Sequence, residues 1–370
     1  MRFFVTTPFS MEKPVKNQLL RLGITVDTVT EGRVYFNGEQ EQLAAACVNI
    51  RCGDRIFREI ASFDAFTFDE LFDNVNKINW ADIIGLGGKI NVSAKCVRSK
   101  LMSPSDVQRI TKMAIIKSIQ RKIKKDKLPE INEEYPIEVH INKDRVTVAL
   151  DCCGVSLHKR GYRVKNAVAP LRETFAAGLI EIAGYRAEKP FCDNFCGSGT
   201  LAIEAAMIGL NIAPGANREF ACEKFKNFDA RVFNSARSKA KSEEKDIFLN
   251  VTASDISPEM VDMARFHARR AGVENHINFK VCPAGKSIPN GDNGILIINP
   301  PYGERLEDRD SMITLSKEIG QMLENYSSWN RFVLSGYKNF EKAVGKRAQK
   351  TRRFYNGNIE CNLYQFFEKK

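Results

Sequence analysis

No run in these 370 residues approaches the roughly 18 apolar positions of a membrane span, and the opening Met1-Arg2-Phe3-Phe4-Val5-Thr6-Thr7-Pro8 lacks the longer apolar core of a signal peptide. A cytoplasmic location is the expectation. Cysteine occurs ten times without one Cys-x-x-Cys pair, and histidine only at positions 140, 158, 267 and 276. Zinc spacing cannot be drawn from that set, so reduced, mostly buried thiols and no metal are expected. Internal repeats and low-complexity tracts are also absent. With 43% hydrophobic residues, a chain of this length supports two or three domains, each with its own core.

What the chain does have is positive charge, +11 in total, and the charge is clustered. Ten Lys or Arg stand against two acids between Arg98 and Lys127, five against none between His158 and Arg172, and seven against one between Lys338 and Arg353. One such run is usually a solvated helix face. Three of them on a basic chain favour a polyanion, because each cation placed on a phosphate releases counterions. Nucleic acid is favoured over membrane, since no segment joins such charge to a strongly amphipathic Trp/Phe face.

The first stretch reads as a small α+β unit with strands at 3–6, 25–29 and 33–36 and helices at 12–22 and 40–48. A second unit spans about 67–154, with a strand at 89–96, a basic helix capped at Ser105 and running to Lys125, and strands at 137–141 and 145–151. Tyr162 to Ala167 reads as a hinge. Beyond it strand and helix alternate to the end of the chain, which means βαβ units on a twisted, mostly parallel sheet.

Three strand ends carry the chemistry. Asp193-Asn194-Phe195-Cys196-Gly197-Ser198-Gly199-Thr200 follows the first strand of that half, and its glycines allow close backbone approach at a helix N-terminus. The third glycine of a dinucleotide fingerprint is missing, since Ala202 stands there. Asp255 ends the next strand, where a ribose diol is gripped in nucleoside-binding sheets; an acid there also suits a helix N-terminus. The run Gly294-Ile295-Leu296-Ile297-Ile298 reads as a buried strand that Asn299-Pro300-Pro301-Tyr302 stops at its carboxyl end. That corner suits a flat ring bearing an exocyclic NH2: Asn299 and the Pro300 carbonyl accept its two N–H bonds and Tyr302 stacks on its face. The same four residues also make an ordinary strand-ending turn.

Taken together, these motifs, with His158-Lys159-Arg160-Gly161-Tyr162-Arg163, Ala169-Pro170-Leu171-Arg172-Glu173 and Tyr355-Asn356-Gly357-Asn358-Ile359-Glu360-Cys361, resemble the THUMP-domain RNA methyltransferases that use S-adenosylmethionine, and among them the enzymes that methylate guanine N2 in bacterial large-subunit (23S) ribosomal RNA. The resemblance implies an α/β chain: a ferredoxin-like α+β region at 1–66, a THUMP RNA-binding domain at 67–155, a linker at 156–168, and a Rossmann-like methyltransferase domain with a seven-stranded mostly parallel sheet at 169–370. It implies that Asp193, Phe195, Cys196, Gly197 and Gly199 line the methionine part of S-adenosyl-L-methionine, that Asp255 holds the ribose with Ile256 against the adenine, and that Asn299, Pro300, Pro301 and Tyr302 hold the target base, Asn299 also bordering the cofactor. Candidate contacts to ribosomal RNA are Arg98, Lys100, Lys112, Arg121, Lys122, Lys124, Lys125, Lys159, Arg160 and Arg163. Where the family places an Asp near the third strand's end, this chain reads Val281-Cys282-Pro283-Ala284. The reaction implied is direct in-line transfer of methyl to guanine N2 without a covalent enzyme intermediate. Two rivals stay open at this point: N6-adenine methylation, for which the Asn-Pro-Pro-Tyr corner is equally suited, and a non-catalytic RNA-binding assembly factor.

Overall fold

The computed structural model describes residues 1–124, 128–164, 171–301, 309–357 and 359–368, leaving aside the side chains of 309–312 and 356. Its first half is one seven-stranded sheet. The elements in chain order are β1 (Arg2–Thr6), α1 (Glu12–Arg21), β2 (Val26–Thr30), β3 (Arg33–Asn37), α2 (Gln40–Asn49), β4 (Arg55–Asp64), α3 (Phe68–Lys77), β5 (Lys89–Val97), α4 (Pro104–Ile123), β6 (Glu134–Asn142) and β7 (Arg145–Asp151). The strand order is β2-β3-β1-β4-β7-β6-β5, antiparallel except between β5 and β6.

The expected units at 1–66 and 67–155 therefore share their hydrogen bonding through β4. This ten-residue strand pairs with β1 on one edge (Phe4↔Phe57) and with β7 on the other (Phe57↔Asp151), and its register shifts between Glu59 and Ala61. Two details correct the sequence reading. Helix α4 is capped by Ser103, whose Oγ accepts the Asp106 N–H at 3.3 Å with Pro104 at the first turn, and not by Ser105. Helix α3, which the sequence reading left unassigned, opens on a capping box between Thr67 and Glu70.

The second half contains α5 (Glu173–Ala183), β8 (Phe191–Asp193), α6 (Thr200–Gly209), α7 (Ala230–Ser242), β9 (Val251–Asp255), α8 (Pro258–Arg270), β10 (Ile277–Val281), β11 (Ile295–Ile298), α9 (Arg309–Asn325), β12 (Asn330–Ser335), α10 (Phe340–Val344), β13 (Lys350–Asn356) and β14 (Ile359–Phe366). The strand order is β10-β9-β8-β11-β12-β14-β13, parallel from β10 to β12 and antiparallel around β14. Strand β11 is buried on both faces: Ile295 and Ile297 join the core under α5, α6 and α8, whereas Leu296 and Ile298 join the one under α9 and α10.

The two halves are not strung on a hinge. Tyr162, placed by the sequence reading at the start of one, is buried, and its hydroxyl donates to Glu204 at 3.2 Å; residues 165–167 lie outside the described residues. Arg160 pairs with Glu204 across 3.4 Å, both side chains almost fully buried, and donates to the Leu157 and Arg51 carbonyls at 2.7 and 2.6 Å. Segment 210–246 returns to the first half, where Phe220, Phe233 and Ala240 enter the core built by α2. The Gly215 N–H donates to the Val48 carbonyl at 2.9 Å there.

Replacing Glu204 by Gln leaves Arg160 charged and without its carboxylate in an apolar setting. A loss of about 3–5 kcal/mol is expected, read as a lower urea midpoint, and an unchanged midpoint would show the pair to be dispensable.

Candidate active site

Four parallel strands deliver their carboxyl ends to one side of the second sheet. At the end of β8, Asp193 is 1% exposed, and its Oδ1 accepts the Phe195 N–H at 3.1 Å. Burial pushes its carboxyl up to about 8, with nearby Asp255 adding to the shift. The loop then turns through Gly197 (φ +48°) and Gly199 (φ +87°) into α6. Gly199 is required twice over, by its left-handed backbone and because a Cβ there would lie 2.9 Å from that of Ala264.

Asp255 sits half-buried at the tip of β9. Its Oδ2 accepts the Gly197 N–H at 2.9 Å, and its Oδ1 accepts the Ser257 N–H at 3.0 Å, so the carboxylate straps the glycine loop to the neighbouring strand. A carboxylate has about four lone-pair sites, which leaves acceptor capacity for a diol. Ile256 is 67% exposed beside it and Val281, paired with Asp255 in register, is 55% exposed, giving an open apolar wall.

Beneath these tips lies a cluster that the sequence reading did not assign. The buried Asn194 Oδ1 accepts from Ser254 Oγ (3.1 Å), Ser287 Oγ (3.1 Å) and Cys192 Sγ (2.9 Å), and Ser287 also meets the Tyr326 hydroxyl at 2.8 Å. At the end of β11, Asn299 is half-buried, Pro300 buried and Pro301 half-buried. The Asn299 Oδ1 atom is itself buried and has no hydrogen-bond partner among the described residues. The expected stacking residue Tyr302 lies outside the described residues.

The basic residues divide. Arg98, Lys100, Lys124 and Lys159 are exposed; Lys125 lies outside the described residues. On α4, Lys112 pairs with Glu130 at 2.8 Å and Lys122 with Asp82, while Arg121 donates to the Asn76 carbonyl at 3.0 Å. Arg160 and Arg163 require correction as RNA contacts. Arg160 is spent on Glu204, and the largely buried Arg163 donates to Thr200 Oγ1 at 2.6 Å and the Leu171 carbonyl at 3.0 Å, bracing the first turn of α6. The missed signal was Glu204 itself: an acid within the apolar stretch Thr200-Leu201-Ala202-Ile203-Glu204-Ala205-Ala206 demands a buried cation.

The residues fit a nucleoside cofactor carrying an amino acid. A Cβ on Gly197 would project into open space, Asp193 offers a buried carboxyl, and Asp255 has acceptor capacity beyond its two hydrogen bonds among the described residues. Fold and site are those of an S-adenosylmethionine-dependent methyltransferase. The structure is similar to SMU.472, provisionally described as a methyltransferase complexed with SAH (TM-score 0.94, 38% identity, covering 100% of this chain and 98% of that one). It is also similar to a protein of Listeria monocytogenes described as a predicted N6-adenine-specific DNA methylase (TM-score 0.94, 36% identity, 100% and 96% covered).

The chain belongs to the RMKL-like methyltransferase family UPF0020, whose domain matches residues 160–365, preceded by an RlmL ferredoxin-like domain at 2–57 and a THUMP domain at 65–151. It is 40% identical to YpsC of Bacillus subtilis (strain 168), provisionally named an RNA methyltransferase, over 98% of this chain and 95% of that protein. It is 31% identical to the ribosomal RNA large subunit methyltransferase K/L of Syntrophotalea carbinolica, covering 99% of this chain but 53% of that protein, so it spans about half the length of that relative.

A carboxyl raised by burial keeps its proton in the folded state where the unfolded chain has lost it, so folding binds protons and stability falls as pH rises between about 4 and about 8. The cofactor-free protein is therefore expected to lose melting temperature from about pH 5 to about pH 8, and Asp193→Asn to flatten that slope while weakening SAH binding by calorimetry. Equal slopes in the two proteins would remove Asp193 from the account.

Proposed function

We propose that this chain transfers a methyl group from S-adenosyl-L-methionine to the exocyclic N2 of a guanine in 23S ribosomal RNA. The observation that carries the reading is the buried Oδ1 of Asn299 at the tip of β11, which has no partner among the described residues. A buried acceptor without a donor costs about 1–3 kcal/mol, a cost offset when a ligand N–H arrives. The RNA assignment is supported by the THUMP match at 65–151 and by relatives named as large-subunit ribosomal RNA methyltransferases.

When bound, S-adenosylmethionine supplies a methyl group made electrophilic by its sulfonium. Asp193 and the glycine loop would hold its amino-acid portion, Asp255 its ribose hydroxyls, and Ile256 its adenine. Asn299 Oδ1 and the Pro300 carbonyl would accept the two N–H bonds of the target amine. Fixing both hydrogens directs the nitrogen lone pair out of the ring plane, so these residues act by orientation rather than as nucleophiles. The target base would have to leave its stack to enter, at a cost of a few kcal/mol.

A second reading keeps the same machinery and changes the base to adenine N6. It is favoured by the description of the Listeria monocytogenes protein and by the equal suitability of an Asn-Pro-Pro clamp for either amine.

Asn299→Ala is expected to lower turnover on ribosomal RNA by about 100-fold or more while the protein still binds SAH in a calorimetric titration. Mass mapping of ribosomal RNA from cells with and without the gene should lose an N2-methylguanine. Loss of N6-methyladenine instead would establish the second reading, and full activity of Asn299→Ala would remove the clamp from both.

A further inference from the structure

Three loops converge at one end of the first sheet: the β4–α3 connection at 65–67, the β5–α4 connection at 98–103, and the β6–β7 turn at Lys143-Asp144. Asp144 ties them together. Its carbonyl accepts the Ala65 N–H at 3.1 Å, its Oδ1 accepts the Lys100 N–H at 2.6 Å, and its own N–H donates to Ser99 Oγ at 3.1 Å. On this braced corner the apolar side chains of Phe66 (46% exposed), Met102 (74%) and Val97 (45%) face solvent. The Lys100 ammonium stands 4.9 Å from the centroid of the Phe66 ring.

The cations here differ from Lys112 and Lys122 of α4. Lys112 and Lys122 are matched by Glu130 and Asp82, whereas Arg98, Lys100 and Lys143 have no carboxylate partner among the described residues. Arg98 and Lys143 hold left-handed backbone, at φ +48° and +52°. Lys143-Asp144 form a two-residue hairpin turn with both φ positive, where Asn or Gly is the cheaper first residue. Left-handed backbone is costly for long side chains, so cations at two such positions on the corner that also exposes Phe66 are a feature the fold alone does not require.

We propose that Phe66, Met102, Arg98, Lys100 and Lys143 form a platform for a single-stranded segment of the RNA substrate, with a base on the two apolar side chains and its flanking phosphates on the three cations. Duplex RNA hides its base faces and would use only the charges; an unstacked base uses the ring and the thioether as well. The unmatched positive charge selects a polyanion over a second copy of this basic chain. The proposal rests on the RNA reading above and adds the strandedness of what is held.

The test uses the full chain, a labelled single-stranded RNA oligonucleotide and a hairpin of the same composition, read by fluorescence anisotropy. The wild type should prefer the single strand. Phe66→Ala should lower that affinity roughly tenfold and leave hairpin binding nearly unchanged, Phe66→Trp should restore it, and Lys100→Ala should reduce the salt slope by about 0.7–1. SAH binding by calorimetry should match wild type in every variant, which establishes that the fold is intact. Equal binding by Phe66→Ala and wild type would overturn the platform, as would equal losses on strand and hairpin, or a Phe66-dependent dimer in sedimentation. If Phe66→Ala weakens single-strand binding but no N2-methylguanine maps to the gene, the base assignment fails and the platform stands. The reverse pair of results leaves the methylation reading standing alone.

Discussion

The buried pairing of Arg160 with Glu204 is the contact on which the working geometry depends. Glu204 belongs to α6, the helix that begins at the glycine loop, and Arg160 reaches back to the Arg51 carbonyl in the first half of the chain. Further bonds run in parallel: Thr174 Oγ1 donates to Asp54 Oδ1 at 2.7 Å and Gln18 Nε2 to Glu181 Oε1 at 3.2 Å. Together with the return of residues 213–240 to the α2 core, they make the distance from the N-terminal sheet to the cofactor loop a bonded path instead of a tether. The orientation mechanism proposed above needs that. Misplacement by about 1 Å costs about 100-fold in rate, and a flexible linker could not hold such tolerance.

That same pair explains why positive charge in a sequence is ambiguous. His158 to Arg163 looks like a basic patch, yet of its cations Lys159 is exposed while Arg160 and Arg163 point inward, one onto Glu204 and the other onto Thr200. On α4 the cations are exposed but partly matched by acids from outside the helix, Asp82 and Glu130, which a run-by-run charge count does not include. Electrostatic recognition is set by what remains unmatched after folding, and that quantity is a property of tertiary neighbours.

The site was legible where one residue type has one physical use. An Ile-rich run ended by two prolines can only be a buried strand and its stop, and it is β11. The glycine loop lies at the start of α6 with the positive φ angles that its glycines allow, and Asp255 lies at the tip of β9. What escaped were elements defined by partners distant in sequence. Strand β4 carries half-exposed residues along most of its length and has no clean alternation to betray it. Helix α7 packs on α2, nearly two hundred positions earlier, so nothing local marks its role. Helix α3 is different, because its Thr67-x-x-Glu70 box was present in the sequence and could have been read.

The strand tips divide into a cross-linked half, where Asn194 Nδ2 is also buried without a partner among the described residues, and a more open one. Those of β8, β9 and β10 are cross-linked at two levels. Below, Asn194 gathers Cys192, Ser254 and Ser287; above, Asp255 takes the Gly197 N–H on its carboxylate and the Cys282 N–H on its carbonyl at 2.9 Å. The proposed cofactor would meet there a glycine loop already fixed, so little ordering entropy would remain to be lost on binding. Among the described residues, the tip of β11 has no comparable cross-link through Asn299, whose oxygen lies buried without a donor. Burying an acceptor in that state is unfavourable for the empty protein. Under the proposed function the arrangement suits an arriving N–H group better than the empty site, and discrimination would follow from the asymmetry: a base edge lacking an amine at that point would leave the same oxygen unpaired and bind more weakly.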